Sequence, residues 1–190
     1  MYTADTYNPI GKVKISHYGR HPKIDEFFTK FLGRGKLYEM AWKIVAHLRK
    51  RWPWFLRITT GPCLGVWMFH NGITNSGKAA MAGLLGNVGS VSPFTYVAYG
   101  TNSTSFSATQ TALIAESQRG SATVSRTTTT VTNDTLRLVK AFSVTTTETA
   151  KEGGVFNASS GGIMVARSLF DPQRSMTLGD TLTVTHDIVF

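Results

Sequence analysis

Ile24, Phe27, Phe28, Phe31 and Leu32 recur at i, i+3, i+4, i+7 and i+8, the spacing of one apolar helix face. Pro22 sits where a first helical turn tolerates it, Asp25 and Glu26 lie near the start, and Lys30 lies near the end. Gly33 and Gly35 stop the helix. A second helix is predicted over about Lys36 to Arg51, with Leu37, Met40, Ala41, Ile44, Val45 and Leu48 on one face and Glu39–Lys43 as an i, i+4 pair. It closes on Arg49-Lys50-Arg51, and Pro53 prevents its continuation. Residues Met1 to Arg20, with scattered apolar positions, read as extended or irregular.

The pattern changes near residue 70. Leu64 to Phe69 suits a strand, and Lys78 to Leu85 supplies helix formers behind a cap at Asn75 or Ser76. Phe94 to Gly100 is a buried-type strand, and Thr109 to Glu116 reads as a helical turn. Ser121 to Val131 and Thr135 to Thr147 are strands joined at a hairpin-like Thr132-Asn-Asp junction. Gly154 to Ala158 and Ile163 to Phe170 flank a Gly-rich turn. The last run puts Leu182, Val184, His186, Ile188 and Phe190 on one face and Thr183, Thr185 and Asp187 on the other. Short strands in series predict a mainly β chain, an antiparallel β-sandwich or jelly-roll-like domain, preceded by a helical, basic N-terminal extension.

Charge sharpens this division. Residues 1–70 hold twelve Lys/Arg against four Asp/Glu, and residues 71–190 hold eight against seven. All four Trp and the only Cys, Cys63, lie in the first part. The expected organisation is therefore a basic attachment segment over 1–70 and a β domain over 71–190. One Cys forms no internal disulfide, so the fold is not expected to need an oxidising compartment. No apolar run reaches the ~18 residues of a membrane span, and the N-terminus lacks a signal-peptide pattern. Asn102, Asn133 and Asn157 head chance sequons in an Asn/Thr/Ser-rich chain.

The apolar helix faces admit packing on each other or on the β domain, or burial against another protein. The bets for partner docking are Phe27, Phe28, Phe31, Met40, Ile44 and Leu48, with Trp52 and Trp54 beyond them. A membrane surface and nucleic acid rank below these. The helices are basic and amphipathic and Trp is interleaved, but no recognised binding motif accompanies them.

Candidate chemistry is sparse. Gly72-Ile-Thr-Asn-Ser-Gly77-Lys78-Ala79 follows the phosphate-loop pattern until Ala79 replaces the hydroxyl that holds Mg²⁺. The five His are dispersed without metal-ligand spacing. His186 reads as a hydrogen-bonded core or interface residue, Cys63 as a small buried hydrophobe, and Glu148 and Glu152 as solvated loop charges. No catalytic constellation, metal site or cofactor site is expected.

From Gly72 to Phe190 several ordered pieces carry a resemblance. They are Ile73-Thr-Asn-Ser-Gly-Lys78 with Ala82-Gly-Leu-Leu85, then Phe94-Thr-Tyr-Val-Ala-Tyr-Gly-Thr101, then Ala108 to Glu116. Glu152-Gly-Gly-Val-Phe-Asn-Ala158, Met164-Val-Ala-Arg167 and Leu178-Gly-Asp-Thr-Leu-Thr-Val184 close the set. This stretch resembles small tailed-phage virion proteins of tail or head fibre, baseplate or decoration type. The resemblance implies a non-enzymatic structural component of a bacteriophage virion, on tail, neck or capsid. Such a protein would be made in the host bacterial cytoplasm, associate with other virion proteins and form a homo-oligomer. A receptor- or glycan-binding fibre module is the alternative, and a nucleic-acid-binding accessory protein is the second. Residues 1–70 lie outside the resemblance, and their expected role is placement on the particle.

Overall fold

Lys12-Val-Lys-Ile alternates charge with β-branched residues, and that alternation builds a strand. In the computed structural model, which describes residues 11–51 and 60–190, β1 (Gly11–Arg20) buries Val13, Ile15 and His17 while Lys12 and Lys14 face outward. The chain then forms α1 (Pro22–Leu32) and α2 (Lys36–Arg51) and returns as β2 (Thr60–Ile73). β2 runs antiparallel beside β1, with Val13 opposite Phe69 and Arg20 opposite Thr60. The two helices are thus an insertion at the tip of a β1–β2 hairpin. They are not the terminal extension that periodicity predicted.

After β2 come α3 (Asn75–Gly86), β3 (Tyr96–Gly100), β4 (Glu116–Ser121), β5 (Thr123–Thr127), β6 (Thr135–Ser143), β7 (Glu148–Phe156), β8 (Met164–Met176) and β9 (Thr181–Val189). The strands form one antiparallel sheet in the order β4-β3-β7-β8-β2-β1-β9-β6-β5. β1 lies between β2 and β9, so the expected boundary at 70/71 falls inside β2 and assigns a central strand to the attachment segment.

Two bends bring the sheet round on itself. β2 pairs with β1 up to His70 and with β8 from Asn71 to Ile73. Only Ala122 separates β4, which pairs with β3, from β5, which pairs with β6. The two ends of the strand order are therefore consecutive in the chain, and the sheet is nearly closed. Across that seam Gln118 donates to the Ser143 carbonyl at 3.1 Å, and the Tyr99 and Phe142 rings meet edge to face with centroids 4.9 Å apart.

The core fills the space between these walls. Val13, Ile15, Leu138, Val155, Leu182 and Val184 are fully buried in one cluster. The predicted hairpin junction is present, with Asn133 in the left-handed region (φ 63°), but its strands are shorter than the expected 121–131 and 135–147: β5 ends at Thr127, β6 ends at Ser143, and Ser121 belongs to β4. Asp134 accepts N–H bonds from Thr129, Thr130 and Val131, which hold its carboxyl well below the usual carboxylate range. β9 buries Leu182, Val184, His186 and Ile188 as its alternation predicts, but Phe190 lies past the strand end and is exposed. The segment 109–115 is irregular instead of a helical turn.

Candidate functional site

The helices that sequence reasoning assigned to docking are held by one face. α1 begins with Pro22 in its first turn and ends at Gly33, whose N–H reaches the Thr29 carbonyl. On α2, Tyr38, Trp42 and Val45 follow i, i+4, i+7 and are buried against Leu178, with Ile24 and Phe28 packed alongside. Trp42 meets Phe28 edge to face at 5.6 Å. Its indole also covers Gly179, where a Cβ would lie 2.5 Å from the ring and φ is +92°, so both the contact and the backbone select glycine.

Polar contacts secure the same seat. Arg20 donates to the Leu178 carbonyl at 2.6 Å, and its guanidinium lies 5.3 and 5.4 Å from the Tyr38 and Trp42 ring centroids. Arg20 also donates to the Tyr38 hydroxyl, which donates to Asp25. Burial, and then that bond to Asp25, raise the Tyr38 pKa. The turn carrying Leu178 and Gly179 is fixed by Asp180, which accepts from the Thr177 N–H and hydroxyl and sits 2.9 Å from His17 Nε2 on β1.

With that face occupied, the other apolar residues point away. Phe27, Phe31, Met40 and Ile44 are 56, 65, 55 and 54% exposed, and Leu37 is 59% exposed. The Phe27 and Phe31 rings lie 4.7 Å apart. Phe28 and Leu48 are half-buried, Phe28 against Trp42, so Phe28 is a scaffold contact. Trp52 and Trp54 lie outside the described residues. Sequence reasoning missed Tyr38, Trp42 and Leu178 as anchors. The available signal was an aromatic pair at i, i+4 beside the longer aliphatic face.

The phosphate-loop-like segment is a helix cap. Thr74 Oγ1 accepts the Gly77 N–H at 2.9 Å, and the Thr74 carbonyl accepts the Lys78 N–H at 2.9 Å. The Thr74 and Asn75 N–H groups go to Val165 and Ala108 carbonyls. Amides that such a loop would aim at phosphate are therefore committed within the fold. Gly77 is required by packing, since a Cβ would lie 2.6 Å from Val165 Cα.

Glu152 is not a solvated loop charge. It is fully buried with Arg167, Nε to Oε2 at 2.8 Å, and accepts the Ile114 and Ala115 N–H groups. Arg167 also donates to Gln110 Oε1 and the Thr104 carbonyl. This network ties the irregular 101–115 segment to β7 and β8. Glu148 is half-buried and accepts from the Tyr99 and Ser117 hydroxyls. Cys63 is exposed, contrary to expectation, because the outer half of β2 turns it to solvent. His186 is buried as expected, but neither ring nitrogen has a hydrogen-bond partner among the described residues. Burial pushes its pKa down to about 4.

Among the described residues no group of three His, Cys, Asp or Glu side chains is placed to hold a metal, and no helix is long and apolar enough to cross a membrane. No protein-family model matches the chain, and no curated protein or solved structure is significantly similar to it.

Proposed function

We propose that this protein is a non-enzymatic structural component of a tailed-phage particle, attached through the outward faces of α1 and α2. The observation that carries the reading is the division of those helices. Tyr38, Trp42 and Val45 are seated on the β8–β9 turn, while Phe27, Phe31, Leu37, Met40 and Ile44 are held exposed. Monomeric proteins rarely leave large apolar groups together in solvent without a partner. Seating one face in advance also lowers the ordering cost of burying the other.

The resemblance over 72–190 supports the phage assignment, and the motif residues fit a scaffold. Thr74 and Gly77 cap and seat α3, and Glu152 and Arg167 form the buried pair. We read the nearly closed sheet as a flattened sandwich-type module. Its copies or neighbours are other virion proteins, and its place is the assembled virion on tail, neck or capsid.

The test is recovery of tagged full-length chain in purified particles and in self-assembled oligomers. Phe31→Asp with Ile44→Asp should abolish incorporation while melting stays cooperative. Normal incorporation of that variant, or a wild-type chain absent from particles, would overturn the reading.

A further inference from the structure

The inner flank of α2 borders a groove that neither the docking faces nor the anchor cluster uses. It has a volume of about 710 Å³ and lies between α2 and the wall made by β4, β5 and β6. That is within the roughly 300–1,000 Å³ of sites that hold small molecules. A second hollow, of about 400 Å³, continues it past Lys43, and the two share Lys43, Thr145 and Thr146.

The lining is predominantly basic. Lys43 and His47 project from successive turns of α2, Arg34 lines the second hollow, and Lys140 of β6 lines the wall with its ammonium 6.0 Å from the Phe142 ring centroid. Arg119 also lines the wall but is paired with Glu116. Among the described residues, Glu39 is the sole carboxylate on either hollow. Val139 and Ala141, both half-buried, add a small apolar part to the lining. Ser121, Thr123, Thr145 and Thr146 ring it with hydroxyls, each both donor and acceptor.

The kind of ligand follows from what this lining offers and withholds. Among the described residues the rings that reach it, Phe142 and Tyr38, are 3 and 6% exposed, so neither offers an open face for stacking a base or a neutral sugar. What the described lining does offer is cationic groups and a dense set of hydroxyls for hydrogen bonds. We propose that the groove binds a polyhydroxylated anion, a sugar bearing carboxylate or phosphate groups, with Lys43 on an anionic group and Thr123, Thr145 and Thr146 on the ring hydroxyls.

The experiment is calorimetric titration of the full chain with a linear tri-galacturonate and with glucose 6-phosphate, which separate the carboxylate and phosphate sources. Maltotriose, a tri-glutamate peptide and a short thymidine oligonucleotide are the comparisons. At least one of the two anionic sugars should bind roughly tenfold or more tighter than all three. Lys43→Glu should weaken that binding by about tenfold or more, and Lys78→Glu, on the exposed side of α3, should leave it unchanged. Thr146→Val, which leaves the charge intact, should weaken it severalfold. Binding of neither sugar, equal or tighter binding of the peptide or the oligonucleotide, or equal losses in the two Lys variants would overturn the proposal. Because no particle is involved, this result is separate from the virion assignment.

Discussion

β1 and the α1–α2 pair are neighbours in one basic stretch, yet they meet opposite fates. β1 places Val13 and Ile15 at zero exposure in the main core and turns Lys12 and Lys14 outward. α1 has no buried residue at all, and α2 is seated through Tyr38, Trp42, Val45 and Ala46. The same positive charge therefore accompanies a central strand and an insertion at the hairpin tip. Net charge describes a surface, and it does not mark where a fold begins.

The sharpest way to break this comparison is to remove β1. Without residues 1–20, β2 and β9 lose the strand that joins them, and Val13 and Ile15 each forfeit roughly 1.5–3 kcal/mol of burial. Added to the lost ladder bonds, this approaches the whole ~5–15 kcal/mol of a typical domain. Fragments 21–190 and 71–190 should lack a cooperative thermal transition by circular dichroism. A cooperative melt of 71–190 would show that the β part is complete without the N-terminal strand.

Next in size is the buried pair on the far side of the sheet. Glu152→Gln leaves the Arg167 charge in a fully buried site and should cost about 3–5 kcal/mol in urea unfolding. Glu152→Leu with Arg167→Met should recover part of that loss. A single variant as stable as wild type would mean the pair does not hold the 101–115 segment.

The β1-facing core also carries a pH dependence. His186, paired across the ladder with Val13 and Leu138, has a folded pKa of about 4, against an unfolded value of ~6.5. Above that unfolded value both states are neutral, and His186 adds no slope. As pH falls from there, the unfolded chain takes the proton first, so stability declines and the loss reaches about 3 kcal/mol near pH 4. His186→Leu should flatten that part of the profile, and an unchanged slope would contradict its burial as a neutral ring.

Much of this was readable from residue patterns. Both helices, the β5–β6 hairpin and the parity of β9 follow from periodicity and turn chemistry. β1 was not recognised, although Lys12 to Ile15 alternates strictly. Its apolar half is two β-branched residues, followed by Ser16 and His17, which are buried through tertiary contacts such as that with Asp180. The Glu152–Arg167 pair was illegible for a related reason. Its partners sit on adjacent strands that register brings together, and no local spacing announces them. The docking face was half legible. Periodicity found the apolar residues, but which of them the β8–β9 turn would cover depended on Leu178 and Gly179, far along the chain.

The smallest effects should fall on the exposed helix face. Phe27→Ser with Phe31→Ser should change stability by no more than about 0.5 kcal/mol per site, since both rings are mostly in water. Trp42→Ala, by contrast, should cost roughly 3–5 kcal/mol or release the helices from the β8–β9 turn. Comparable losses in the two variants, read by chemical denaturation, would erase the distinction between the seated and free faces.

The most direct test of the insertion account is to excise it. Arg20 and Thr60 face each other in the β1–β2 ladder, so joining them through Asn-Gly should close a plain hairpin. The protein lacking residues 21–59 should keep a β-type circular dichroism spectrum and a single cooperative melt, with Tm lowered by the loss of the Trp42–Leu178 cluster. An unfolded or non-cooperative product, with residues 1–20 and 60–190 intact, would contradict the claim that the helices are accessory to the sheet.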